Sequence, residues 1–316
     1  LFAPTVDVAK QLPRERGAEV VILPPRRLPL ISAHWSAARA MRRARLDVLH
    51  GLGGTLPLGY WGRTVLTVHD VLILSHPEWF PNSWFWRRVV LPRNLRSAAR
   101  VIVSSQATAN DVVQQVGVSR DRVAVIPLGV TQPTVGAAEL EVARTELGVK
   151  GPYFLFVGTI EPRKNIPRLM VAFQRFSAAH PHVGRQLIIA GSVGWKATES
   201  LATIRAAGSQ VRYVGYVTPV QKFALLKGAT ALVWPTLAEG FGLPVLEAMA
   251  AGTPVITSNT SSLPEVAGDA ALLVDPTDVG AIANALGKIA TDANLRQQLI
   301  ARGRAQAAKF TWEAAA

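Results

Sequence analysis

Short runs rich in Val, Ile and Leu recur along all 316 residues, and segments with helical spacing separate them. A run apolar on nearly every residue needs cover on both faces, and a parallel sheet sandwiched by helices provides it. In the first half the pattern predicts strands at Glu19–Leu23, Val48–His50, Thr64–His69, Val101–Ser104 and Val123–Ile126. Helices are predicted at Val6–Arg16, Ser32–Arg43, Trp84–Ala99 and Ser105–Gln115. A polar stretch bearing Pro and Gly follows Pro127-Leu-Gly129 and reads as a linker. The pattern then restarts, with strands at Tyr153–Val157, Gln186–Ala190, Val211–Val214, Ala231–Trp234, Pro254–Thr257 and Ala271–Val274. Helices are expected at Ile166–His180, Glu199–Ala206, Pro219–Lys227, Pro244–Ala250 and Val279–Ala290. A single core stops growing near roughly 250–300 residues, so this length favours two units. The expectation is α/β: two Rossmann-like doubly wound domains, residues 1–130 and 153–316, joined by a linker at 131–152. A cleft then lies between the carboxyl ends of the two sheets.

Composition removes several classes. The chain has no cysteine, so disulfides, thiolate metal sites and thiolate nucleophiles are excluded, and a reducing cytosol is compatible. No apolar run approaches the roughly 20 residues of a membrane span. The charge of +13 is uneven: residues 1–130 hold 17 Lys/Arg against 8 Asp/Glu, and the rest 17 against 13. A basic half suggests an anionic partner such as membrane lipid, polyphosphate or nucleic acid, or simply a solvated Arg-rich surface. The expectation is a cytoplasmic protein with peripheral contact at the inner membrane face and no nucleic acid.

The segment Glu239-Gly-Phe-Gly-Leu-Pro-Val-Leu-Glu247-Ala-Met-Ala-Ala-Gly252 carries the most chemistry. Pro244 suits a first helical turn and Gly252 a C-terminal cap, so a short helix runs between them. Gly240 and Gly242 allow close backbone approach just before that helix, whose N-terminus attracts anions. Glu239 and Glu247 bracket this anion site. Carboxylates suit sugar hydroxyls better than phosphate. A phosphate cradle flanked by such acids fits a sugar–diphosphate–ribose ligand; a Gly-rich turn with two solvated acids is the alternative on spacing alone. The turn Phe156-Val-Gly158-Thr-Ile-Glu-Pro-Arg163-Lys164-Asn165 adds two cations at a strand end, Arg for bidentate grip and Lys as a point charge. Asn165 is expected to cap the following helix. Val65-Leu-Thr-Val-His69-Asp70 ends a buried strand with His69 on the cleft face.

Gly158-Thr-Ile-Glu-Pro-Arg-Lys-Asn165 together with Glu239-(seven residues)-Glu247 resembles the retaining glycosyltransferase family 4, of GT-B architecture, and within it bacterial mannosyltransferases of polysaccharide synthesis. Ala251-Gly-Thr-Pro-Val-Ile256, Leu263-Pro-Glu-Val266 and Ala271-Leu-Leu-Val-Asp-Pro276 resemble the same family's second domain. The resemblance implies a nucleotide-sugar donor, a glycan or lipid-linked acceptor, and no cofactor. It places Gly158, Arg163 and Lys164 at the diphosphate, Glu239 at the transferred hexose, Glu247 at the ribose and the base near Val214. The amides of Gly240, Phe241, Gly242 and Leu243 hold phosphate and sugar. His69 lies beside the donor sugar. The catalytic set is then His69, Glu239, Arg163 and Lys164. Many members carry Arg where this chain has Thr159, which shifts the clamp toward Arg163 and Lys164. Asp-x-Asp occurs nowhere, so transfer without metal is expected.

Other assignments stay open. The helix around Trp84-Phe-Trp-Arg-Arg88 mixes aromatics and arginines, suiting a membrane interface, an acceptor groove or a partly buried helix. A nucleotide-sugar epimerase needs acid/base carboxylates deep in the cleft, for which Glu239 stands alone. A dinucleotide oxidoreductase needs Gly-x-Gly-x-x-Gly, and Gly51-Leu-Gly-Gly54 lacks its third glycine. A non-catalytic sugar-nucleotide-binding fragment is the third alternative. It gains weight because Leu1 opens without Met, before what reads as the helix that follows a first strand and Gly-rich turn, and Ala316 closes without a stop signal. Both ends are expected to be cut, with a final crossover helix missing and transfer by this fragment poor.

Overall fold

The computed structural model describes residues 2–3, 21–22, 30–57, 59–81, 84–131, 135–149, 151–183 and 186–316. Strands β1 (Phe2–Ala3) and β2 (Val21–Ile22) form a parallel pair, and the pattern reading does not mark the first of them. The helix read at Val6–Arg16 lies outside the described residues. Helix α1 (Leu30–Arg43) leads into β3 (Leu49–Gly51), β4 (Thr64–Val68) and the short α2 (Leu72–Ser75). Then come α3 (Leu91–Ser97), β5 (Arg100–Val103), α4 (Gln106–Asp111) and β6 (Val123–Val125). Strands β3 to β6 lie side by side in chain order, all parallel.

The two helices expected as single rods each contain a π-wound turn, at Trp86–Val90 and Val112–Val116. Pro92 accounts for the first. It has no N–H to bond back to Arg88 and its ring crowds that carbonyl, so the turn before it widens.

Helix α5 (Ala137–Glu146) occupies the stretch read as linker, which is therefore not extended throughout. The second sheet follows: β7 (Tyr153–Val157), α6 (Ile166–Ala179), β8 (Gln186–Ala190), α7 (Thr198–Ala206), β9 (Val211–Gly215) and α8 (Pro219–Gly228). It continues with β10 (Ala231–Trp234), α9 (Leu243–Ala251), β11 (Val255–Ser258), α10 (Leu263–Ala267), β12 (Leu272–Val274) and α11 (Val279–Thr291). Helices α12 (Ala293–Ala307) and α13 (Trp312–Ala315) close the chain; neither is expected from the sequence pattern. The strand order is β12-β11-β10-β7-β8-β9, all parallel. The chain starts at β7, winds one way to β9, then crosses back to β10 and winds the other way. The order reverses between β7 and β10, and that switch point is where doubly wound sheets bind ligands.

Two hydrophobic cores result. One forms around Leu66, Val68, Leu95, Val101 and Val103, the other around Tyr153–Phe156, Phe173, Leu187–Ile189, Trp234 and Leu286. Among the described residues no helix is long and apolar enough to cross a membrane.

Candidate active site

The turns that follow β7 and β10 flank the switch point, and they hold the charged residues singled out by sequence. Glu161 is extended, the conformation a following proline favours, and Pro162–Lys164 then forms one tight turn ahead of α6. Asn165 takes a left-handed conformation, φ 59°, but its side chain does not cap α6 as expected. Its amide instead donates to Pro235 O at 2.8 Å and Pro276 O at 2.7 Å, tying the ends of β10 and β12 to the first turn.

This fastening brings four charges together. Both carboxylate oxygens of Glu239 are engaged, Oε2 by Arg163 Nη1 and Oε1 by Lys164 Nζ at 2.6 Å. Arg163 Nε reaches Glu161 Oε1 at 2.7 Å. Glu161, Lys164 and Glu239 are all buried, at 2%, 5% and 8% exposure, so these pairs are not screened as surface pairs are. Lys164 Nζ also lies 4.5 Å from the centre of the Trp234 ring. Burial lowers the Lys164 pKa, with Glu239 opposing it. Burial also raises that of Glu161 against the pull of Arg163 and Lys164. For Arg163 burial works against the charge, yet Glu239 and Glu161 together hold its pKa above the ordinary value. The two cations expected at the diphosphate are thus both paired to Glu239, the carboxylate expected at the sugar.

Gly240 brings the other half of the molecule to this cluster. A Cβ there would overlap the His69 carbonyl oxygen and stand 2.8 Å from Asp70 Cβ. Its carbonyl accepts from Ser105 Oγ at 2.6 Å, Thr108 Oγ1 at 3.1 Å and Ser104 Oγ at 3.3 Å. Ser105 is also the N-cap of α4, and Gln106 N, next in that helix, donates to Glu265 Oε1 at 2.9 Å. Gly242, at φ 119°, precedes α9 in a conformation that favours glycine. The first turn of α9 has no intrahelical acceptors for its N–H groups. His69 directly follows β4 and is exposed, beside a cavity of about 240 Å³ lined also by Gly53, Gly54, Thr55 and Asp70. His69 and Glu239 therefore meet at one cleft through their neighbouring backbone. No contact between the two side chains is seen.

The chain matches two family models, glycosyl transferases group 1 over residues 139–306 and glycosyltransferase family 4 over residues 1–132. It is 34% identical to O-antigen chain mannosyltransferase B of Escherichia coli, over 87% of this chain and 74% of that protein. The chain belongs to the family 4 glycosyltransferases. It is also 29% identical to the serotype-specific mannosyltransferase WbdA of the same organism over 79% of this chain, which spans only 32% of that protein. Sucrose-phosphate synthase from Thermosynechococcus elongatus shares the fold, with a TM-score of 0.73 at 24% identity over 94% of this chain and 80% of that one. The architecture is GT-B, and the protein is a glycosyltransferase.

Elsewhere in this glycosyltransferase Glu247, on α9, pairs with Lys222 of α8 at 2.5 Å. Val214 lies half-buried on β9, the edge strand, and Gly158 N donates to Ala190 O at 2.9 Å. Phe241 is buried 5.9 Å from the Phe310 ring, and Leu243 begins α9. His50 and His76 make structural contacts, with Thr67 Oγ1 at 2.7 Å and the Trp79 ring at 3.9 Å. Sequence reasoning missed Glu161, Lys222, Ser105 and Thr108. Glu161 stands inside the quoted turn, but only burial distinguishes it from a surface acid.

Proposed function

We propose that the chain moves a hexose, mannose first, from a nucleotide-diphosphate sugar to a glycan or lipid-linked acceptor in polysaccharide synthesis, with retention and without a metal ion. The pairing of Arg163 and Lys164 onto Glu239 at the switch point carries this reading. The two mannosyltransferase relatives support the choice of sugar. In this reading the donor half is residues 153–316 and the acceptor half residues 1–130. The incoming diphosphate replaces the Glu239 carboxylate on both cations, and the released carboxylate turns to the hexose hydroxyls. The bond from the anomeric carbon to the diphosphate then breaks through an oxocarbenium-like transition state. Arg163, Lys164 and the N-terminus of α9 stabilise the charge that grows on the leaving group, in a site already oriented for it. The acceptor oxygen bonds to the same face, and its proton passes to the departing diphosphate. Glu247 holds the ribose, the base lies along Val214, and His69 stands by the sugar.

Trp84, Phe85 and Val89 are exposed beside Arg87 and Arg88, which supports peripheral contact of the basic half with an anionic membrane. A screen of radiolabelled nucleotide sugars tests the whole reading, with GDP-mannose first and UDP-sugars next. Transferred label that persists in EDTA is expected. Epimerised donor would make the protein an epimerase, and binding without turnover a sugar-nucleotide-binding module. A rate that collapses in chelator and returns with magnesium would overturn metal independence.

A further inference from the structure

Glu161 is the most buried of the four clustered charges, and no sugar or phosphate role falls to it. An apolar side chain would fill the same space without the desolvation cost of a carboxylate. Its oxygen lies 2.7 Å from Arg163 Nε, on the edge of the guanidinium away from the one that Glu239 holds through Nη1. Arg163 also offers Nη1 to Ala238 O at 3.4 Å, and its own carbonyl accepts from Leu237 N at 2.8 Å. The backbone of Arg163 is therefore pinned to the turn after β10, and its guanidinium is gripped at both edges. A planar fork with fixed donors keeps its aim only while one edge stays held. When a diphosphate displaces Glu239, Glu161 still holds the Nε edge at 2.7 Å, and the Nη edge keeps only the long contact to Ala238 O at 3.4 Å.

We propose that Glu161 is a positioning residue for the donor: it holds Arg163 by Nε so that the Nη edge stays turned to the diphosphate after Glu239 has let go. The proposal rests on the donor reading of Arg163. In that reading Glu239 exchanges partners during turnover while Glu161 does not. Glu161 then acts wholly through Arg163, with no direct contribution to nucleoside or sugar.

A double-mutant cycle on the full chain, read by calorimetric titration with GDP, UDP and the matching nucleosides, tests it. Glu161→Gln, which keeps the shape and removes the charge, is expected to weaken diphosphate binding about fivefold to tenfold and nucleoside binding less than twofold. Glu161→Asp, which retracts the charge by one methylene, is expected to show the same split. In an Arg163→Ala background Glu161→Gln is expected to change diphosphate affinity less than twofold. An undiminished effect in that background, or equal losses for nucleoside and diphosphate, would make Glu161 merely structural. If Arg163→Ala alone leaves diphosphate affinity unchanged, the donor reading of Arg163 falls, and the role of Glu161 with it.

Discussion

The two halves meet at one cleft but bring opposite chemistry to it. The second half presents buried charge: Glu161, Lys164 and Glu239, with Arg163 beside them, rest on the turns of a six-stranded sheet whose central strands are wholly enclosed. The first half presents mostly neutral groups, the hydroxyls of Ser104, Ser105 and Thr108 and the backbone of His69, directed at the Gly240 turn, with the Asp70 carboxylate beside them near enough to favour the charge on Arg163. The cations that meet the leaving group must be held by a rigid frame, because reorganising them during the reaction is costly, even where their acid partner exchanges. Hydroxyls and carbonyls exchange partners with water at little net cost, so they suit a surface that closes and reopens. In the proposed function, the division assigns donor affinity to the second half and alignment for transfer to the junction of both.

Several substitutions would break that division if it is mistaken. The largest expected effect is that of Gly240→Ala. The added methyl overlaps the His69 carbonyl and pushes the halves apart, and a misplacement near 1 Å costs on the order of 100-fold in transfer. Nucleoside diphosphate affinity, measured by titration, should fall far less than transfer, because the donor is expected to use only the Gly240 amide, which alanine keeps. If affinity and transfer fall together, the junction and the donor site are not separable.

Lys164→Ala acts on the other side of the divide. One lost charged contact is worth roughly 1.5–3 kcal/mol, so diphosphate affinity and transfer should fall at least about tenfold with the fold intact. Calorimetry with UDP and GDP alongside a thermal melt checks this, and an unchanged affinity removes Lys164 from the site.

The same residue sharpens the comparison through pH. Its pKa is lowered from 10.5 by burial, and a diphosphate binds the protonated form, so affinity should fall as pH rises through a window below 10.5. The loss cannot exceed that of Lys164→Ala, since a neutral amine stands in for the missing one. Folding stability moves the opposite way in that window, because the unfolded chain then binds the proton that the folded chain has released. A titration series and parallel melts separate the two; affinity flat up to 10.5 would contradict the direction.

Glu265→Ala should have the smallest effect. Its carboxylate accepts from Gln106 N at the start of α4, a contact exposed to water and worth about 0.3–1 kcal/mol. The expected result is a two- to fivefold slower transfer at unchanged diphosphate affinity. A weaker affinity would place α10 in the donor site instead.

Much of this was legible before any coordinates. Strands β7, β8 and β10 fall at the residues expected, because a fully buried parallel strand leaves an unbroken apolar run between turn residues. The Glu239–Gly252 motif likewise announces a turn, a helix start and a helix end in order. Helices α5 and α12 were not legible. Of the fifteen residues in α12 only Leu299, Gly303, Gln306 and Ala307 are buried, so its apolar stripe is too thin to read. The Pro and Gly on either side of α5 mask it in the same way.

The sequence by itself determined the local matters: which segments are apolar enough to be enclosed, where turns interrupt them, and which charges stand at strand ends. Only the tertiary structure decided that Glu239, some 75 residues from Arg163 and Lys164, holds both, and that Gly240 is small because His69 lies against it. Those contacts depend on β10 lying beside β7 and on the first sheet standing over the switch point. A short-range pattern carries no record of which strand lies next to which, because every buried parallel strand reads alike. Long-range pairing alone sets the distance between charges, and with it whether an acid is a solvated surface group or a buried partner.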